Sequence, residues 1–332
     1  MNPISFQLSP KKRAFLTGTL LLTGTGFLCR ILGFFYRIFM SRTIGAEGLG
    51  IYNMVHPVFG ICFAVCAGSI QTALSQHVAS NQRKGRAAFH AGLIISLSLS
   101  MLMALAICKF SSPIAENLLL EPRCEPYLLI MALSVPFAAL HACINGFYYG
   151  MQKSKVPAFS QVAEQIVRMA AVYGIVQIFQ AQGKEITVSL AVYGHLIGEA
   201  ASAAFTLLSL LICPPIRQPL PLEPAGEYTI IQKDSSSGSS SFFQENALPL
   251  IVLALPLMGN RLVLNLLGSA EAIWIPNRLT AYGLSSSEAF SIYGVLTGMA
   301  LPAGVMQGNK IYSGLRAKIF APRPFPISIT AR

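Results

Sequence analysis

The chain has 332 residues, 53% of them hydrophobic and only 11% charged, where a soluble domain carries about 25% charged residues. Its mean hydropathy is +0.57, its net charge +11 and its pI about 9.5. This composition excludes a soluble globular enzyme. The scatter of the bases over short loops argues against a nucleic-acid surface and fits the Lys and Arg excess of cytoplasmic membrane-protein loops.

Each helical crossing takes about 20 apolar residues. A basic start with Lys11, Lys12 and Arg13 precedes an apolar run over 14–40. That run is longer than the ~7–15-residue core of a signal peptide and has no small-residue cleavage site after it, so it reads as a first spanning helix. Further spans follow at 50–74, 87–110, 126–150, 158–180 and 186–213. Pro214, Pro215, Pro219, Pro221 and Pro224 then break any helix, and Ser235–Ser241 reads as a flexible linker. A seventh span covers 247–273 and an eighth begins near Ala289.

The expected fold class is therefore an all-α polytopic membrane protein, a six-helix bundle plus the start of a second, about seven or eight transmembrane helices. Its parts are a cytoplasmic N-terminus (1–13), the first bundle (14–213), a cytoplasmic linker (214–246), the start of the second bundle (247–302) and a polar tail (303–332). The groups Lys11–Arg13, Arg83/Lys84/Arg86, Lys153/Lys155 and Arg217/Lys233 fall on one side, which the positive-inside rule makes cytoplasmic. The expected location is the cytoplasmic membrane, multi-pass.

The seven cysteines form no zinc or disulfide pattern; six lie in or beside apolar runs, where they read as small packing residues. Gly194-xxx-Gly198 and Gly294-xxx-Gly298 permit close helix contact. Pro57, Pro136 and Pro256 lie inside spans and are candidate kinks. No nucleotide-binding or nucleophile-elbow motif is present. No cofactor, metal or catalytic residue is assigned, and the oligomeric state is unknown from sequence.

The informative residues are charges where lipid should be. An arginine at mid-membrane costs about 2.5–3.5 kcal/mol on the insertion scale. Arg30 sits near the middle of the first span, and Arg37, two turns on, shares its face. Glu164 and Arg168 are four apart in the fifth span, the spacing of an ion pair, which either neutralises itself or lines a cavity. His195 and Glu199 repeat that spacing in the sixth, where Glu199 calls for an arginine partner across the bundle. Arg261 lies centrally in the seventh span, with Asn260 before it and Asn265 four residues on. Arginines facing a common cavity make a site for an anion, most naturally a phosphate or diphosphate. The expected substrate-binding residues are Arg30, Arg37, Arg168 and Arg261; Glu164, Glu199 and Asn260 are ion-pair or coupling candidates.

Three blocks carry a family resemblance: LTGTLLLTGTGFLCRILGFFYRIFMSRTIGAEGLGIYNMV in the first span and loop, YYGMQKSKVPAFSQVAEQIVRM at 148–169, and SAEAIWIPNRLTAYGLSSSEAFSIYGVLTGMALP at 269–302. From about Lys12 to Pro302 the chain resembles the polysaccharide and oligosaccharide flippases of the multidrug/oligosaccharidyl-lipid/polysaccharide superfamily. The resemblance implies transport of a polyprenyl-diphosphate-linked oligosaccharide or peptidoglycan precursor across the cytoplasmic membrane, for envelope or spore-cortex synthesis. The implied partners are that lipid-linked substrate and membrane lipids, with no nucleic acid. Cys29-Arg30-Ile31-Leu32-Gly33 matches an SRxLG-like stretch of the family with Cys in place of Ser, so Arg30 carries over; the family's next arginine sits one residue closer than Arg37. Residues 303–332 are basic and too polar to span where the resemblance implies further apolar helices, and read as a frameshift or prematurely ended gene. Competing readings are a drug/cation antiporter of the same superfamily, which the arginines disfavour, an intramembrane enzyme, for which no acid or His cluster at a membrane face exists, and a non-functional fragment.

Overall fold

The computed structural model describes residues 10–215 and 239–300. Among these residues there are helices and no strand, as backbone groups in lipid must bond within their own segment. The helices are α1 (Pro10–Phe63), α2 (Ser69–Ser80), α3 (Gly85–Lys109), the single turn α4 (Ser111–Pro113), α5 (Glu125–Gly150), α6 (Lys155–Ala181), α7 (Ser189–Ile212), α8 (Ser239–Ala281) and α9 (Ser286–Val295). Six helical stretches are long and apolar enough to cross a membrane: Leu16–Ser80, Gly85–Lys109, Pro122–Gly150, Lys155–Ala181, Ser189–Ile212 and Ala247–Ala281.

The first of these, 65 residues, would be about 98 Å long if straight, three times the ~30 Å hydrocarbon core. It is not straight. Gly45 has φ 78° and ψ 171°, outside the helical region, a conformation that is essentially glycine-only. The chain turns there, giving two limbs and hence seven crossings among the described residues. Pro57, Pro136 and Pro256 lie inside continuous helices, so the break in α1 belongs to Gly45 alone.

Between α1 and α2 the helix widens to a π turn over Ala64–Gly68. Such a turn frees backbone carbonyls that lipid cannot satisfy. Side chains satisfy them instead: Ser69 Oγ donates to the Ala64 carbonyl (2.7 Å), and Ser96 Oγ of α3 donates to that of Cys66.

Small residues set the packing. At Gly50 and Gly294 an added Cβ would strike the backbone of the other helix, so α1 and α9 cross almost backbone to backbone. Gly194 and Gly198 of α7 receive Val172 and Arg168 of α6, so both small-xxx-small patterns are contact surfaces. One core cluster joins the second limb of α1 to α5 and Phe290; a second joins α2, α3 and α5 to Ala247, Leu250 and Ala254 of α8. The outward surface is apolar, with Leu20, Leu211 and Trp274 all more than 60% exposed. That exposure is prohibitive in water and ordinary in lipid.

The loops sort onto two faces. On one, Lys153 Nζ donates to the Pro215 carbonyl (2.8 Å), the Tyr148 hydroxyl lies 2.9 and 2.8 Å from the last carbonyls of α7, and Ser154 reaches Gly18 at the start of α1. On the other, Arg123 bridges Glu47 (2.8 Å) and Glu121 (2.7 Å), Ser287 donates to Glu47 (2.7 Å), and the Arg123 guanidinium lies 5.7 Å from the Phe290 ring centroid. This second network ties the Gly45 turn and the α3–α5 connection to α9. The Lys153 loop thus shares a face with the start of α1 and the end of α7; Arg217, Lys233 and the tail 303–332 lie outside the described residues.

One boundary differs from the sequence reading. Helix α8 begins at Ser239, within the run read as linker, because a helix can continue in water beyond its apolar span. Helix α9 and its π turn Leu296–Ala300 give fifteen described residues, about 22 Å, as short for a crossing as the sequence suggests.

Candidate functional site

Two polar cavities open within the bundle, and His56 of α1 lines both. The first has a volume of about 310 Å³ and holds the acids. Helix α7 presents His195 and Glu199 one turn apart, α6 presents Glu164 and Arg168 at the same spacing, and α5 contributes His141 and Asn145. The bare Cα of Gly198 lets the Arg168 guanidinium lie against α7; a methyl group there would meet Arg168 Nε at 2.8 Å.

The charges are paired. Arg168 Nη2 donates to Glu164 Oε1 and sits 3.8 Å from Glu199 Oε1. His141 Nε2 lies 2.8 Å from Glu199 Oε2. His195 Nε2 is 3.8 Å from Glu199 Oε1, beyond hydrogen-bonding distance, and the rings of Phe59 and His56 meet the His195 ring edge-on. The centre of the cluster is nearly withdrawn from solvent, Glu199 being 5% and His195 2% exposed, while Glu164 and Arg168 are half-buried and His56 is exposed. Three donor atoms of His141, Glu164 and Glu199 lie within 4.8 Å of one another. Arg168 already supplies the cation at that spot, so they are not read as metal ligands.

The second cavity, about 300 Å³, is lined by Arg37, Asn53, His56, Asn265, Tyr293 and Thr297 among others, and by no carboxylate. Arg37 Nη1 donates to the Thr297 carbonyl (3.2 Å) and Asn53 Nδ2 to Thr297 Oγ1 (2.9 Å), so α1 grips the end of α9 at the cavity wall. From α8, Asn265 donates to the Arg261 carbonyl (2.8 Å), and Arg261 Nη2 donates to Thr72 Oγ1 (3.1 Å). Asn265 fits against Gly60 and the Arg261 guanidinium against Gly68, two places where any Cβ would collide. The arginine thus lodges on the π turn, one helical turn from the cavity wall.

The sequence-expected residues divide accordingly. Arg168, Glu164 and Glu199 meet in the acidic cavity, and the arginine partner sought for Glu199 is Arg168. Arg37 lines the basic cavity, with Arg261 beside it. Arg30 and Asn260 are exposed, line neither cavity and have no described hydrogen bond or ion pair. Sequence reasoning missed His141, His56, Asn145 and Asn53. The available signal was polar residues within apolar spans, but none has an oppositely charged residue one turn away.

The family model for polysaccharide biosynthesis proteins matches residues 15–283. Stage V sporulation protein B of Bacillus subtilis (strain 168) is 30% identical over 295 residues, covering 87% of this chain and 54% of that protein. Lipid II flippase MurJ of the same organism is 28% identical over 201 residues, 55% of this chain and 37% of that one. Sporulation protein YkvU, also from that organism, is 19% identical over 296 residues, 87% and 61% of the two chains. The chain spans about half the length of the curated relatives it matches. No solved structure matches it. With a family match across most of the chain and an all-helical fold of apolar spans, this is a multi-pass membrane protein belonging to the polysaccharide biosynthesis protein family.

Proposed function

We propose that the chain serves as a flippase for a polyprenyl-diphosphate-linked oligosaccharide or peptidoglycan precursor. The single observation that carries this reading is the acid-free cavity lined by Arg37, Asn53, His56, Asn265 and Tyr293, with Arg261 beside it, inside a membrane bundle. Arginine binds phosphate oxygens through two parallel hydrogen bonds, and amide and phenol groups suit sugar hydroxyls. The family membership and a relative named as a lipid II flippase support the same cargo class.

The positive-inside rule supports a cytoplasmic N-terminus, with the Lys84 and Lys153 loops on that side. The antiporter alternative draws on the acidic cavity, but both of its carboxylates already face a protein partner, Arg168 or His141, so a cationic drug would have to displace the Arg168 guanidinium to reach them. The test is binding of a polyprenyl-diphosphate sugar to the 332-residue chain in lipid nanodiscs. Arg37→Ala and Arg261→Ala are each expected to weaken it at least tenfold, while the polyprenyl alcohol without diphosphate binds equally to all three. Equal affinity of wild type and both variants for the diphosphate overturns the assignment.

A further inference from the structure

The acidic cavity does not balance its charges. Glu164 and Glu199 carry two negative charges and Arg168 one positive, and the remaining titratable groups around them are neutral in their ordinary forms. Those groups are His141 of α5, His195 of α7, and His56, Tyr36 and Tyr52 of α1, with Cys29 of α1 toward Glu164. Arg37 keeps its positive charge, since its hydrogen bond goes to the neutral Thr297 carbonyl, and that charge acts on His56 and Tyr52; but it lines the neighbouring cavity and pairs with neither carboxylate. A net buried charge is costly in this setting, and one proton cancels it.

The cluster also has somewhere to put that proton. His141 Nδ1 and both ring nitrogens of His195 are buried with no hydrogen-bond partner, and Asn145 Oδ1 is an unpartnered buried acceptor on the same cavity wall. His141 already presents Nε2 to Glu199 Oε2 at 2.8 Å. A second proton on that ring, at Nδ1, makes an imidazolium whose charge Glu199 directly opposes.

The geometry points to a binding site for one exchangeable proton at the His141–Glu199 pair. Uptake forms an N–H bond at His141 Nδ1 and makes the cluster neutral; release breaks that bond and leaves one net negative charge facing Arg168. A monovalent metal ion fits less well, because imidazole is a poor ligand for hard cations and the guanidinium occupies the space between the carboxylates. Binding of the proton does not depend on the identity of the cargo. Because His56 lines both cavities, a change in the cluster has a direct contact path to the basic cavity.

The experiment is an NMR titration of the full chain in lipid nanodiscs with isotope-labelled histidine, the His141 signal being assigned by its loss in His141→Gln. His141 is expected to change protonation state within the pH range where the protein stays folded. Glu199→Gln, which keeps the shape and removes the charge, is expected to move that midpoint toward lower pH, so that at least tenfold more protons are needed. A His141 that never changes state, or a midpoint unmoved in a folded Glu199→Gln protein, overturns the proposal. So does stoichiometric binding of added zinc chloride that abolishes the titration, which would make the cluster a metal site. Should Glu199→Gln not fold, the wild-type titration still decides. If all five histidines then titrate together, as solvent-exposed rings do, the proposal fails.

Discussion

Replacing Arg168 with alanine removes the cation that stands between Glu164 and Glu199 and leaves His141 as their close partner. The Arg168 and Glu164 side chains are only 12% and 15% exposed, so the pair belongs with buried ion pairs. Breaking such a pair from one side costs about 3–5 kcal/mol, because the surviving charge stays buried. At 1.4 kcal/mol per factor of ten, the folded-to-unfolded ratio falls roughly 100- to 4,000-fold. Arg168→Lys keeps the charge and loses the planar guanidinium whose Nη2 faces both carboxylates, so it falls between wild type and alanine. The double variant Arg168→Ala/Glu164→Gln removes a positive and a negative charge together and is expected to recover about 1–3 kcal/mol relative to the single change. The assay is a thermodynamic cycle on nanodisc-embedded protein, read by thermal unfolding alongside membrane abundance. Wild-type stability in Arg168→Ala, or strict additivity of the two changes, refutes the reasoning.

Gly294→Leu forces a side chain into the backbone of α1 at Ala46 and Gly50, and overpacking of this kind costs about 1–3 kcal/mol; thermal unfolding of the variant measures it. Gly45→Val places a branched residue at φ 78°, so membrane abundance should drop sharply, whereas Gly24→Ala, in open space on the same helix, should leave it unchanged. In a cysteine-free background, Lys84→Cys is expected to react with a membrane-impermeant thiol reagent only from the cytoplasmic side and Glu116→Cys only from outside. Lys84 labelling from outside contradicts the orientation.

Apolar length and loop charge made the crossings legible, because lipid enforces both over about 20 consecutive residues. The Glu164–Arg168 pair was legible for the same reason that it forms, a shared helix face; His195 and Glu199 share a face too, but His195 stays 3.8 Å away and His141 takes the carboxylate. The contact of His141 with Glu199 spans 58 residues and that of Arg123 with Glu47 spans 76; no local pattern announces either. Gly45 was hidden because the helix runs on through what reads as a polar loop. The π turn was hidden because its serine donors resemble ordinary small residues of a spanning helix. Arg261 was visible as an expensive charge, but its seat against Gly68 depends on two helices that the sequence does not bring together.

The most direct measurement is reconstitution of the 332-residue chain in vesicles carrying a fluorescent polyprenyl-diphosphate sugar in one leaflet, with movement to the other leaflet followed by accessibility to a membrane-impermeant quencher. Flipping is expected with wild-type protein, strongly reduced with Arg37→Ala or Arg261→Ala at equal abundance, and partly retained with Arg37→Lys. Transbilayer movement no faster than in protein-free vesicles, or equal rates for wild type and both alanine variants, contradicts the proposed function.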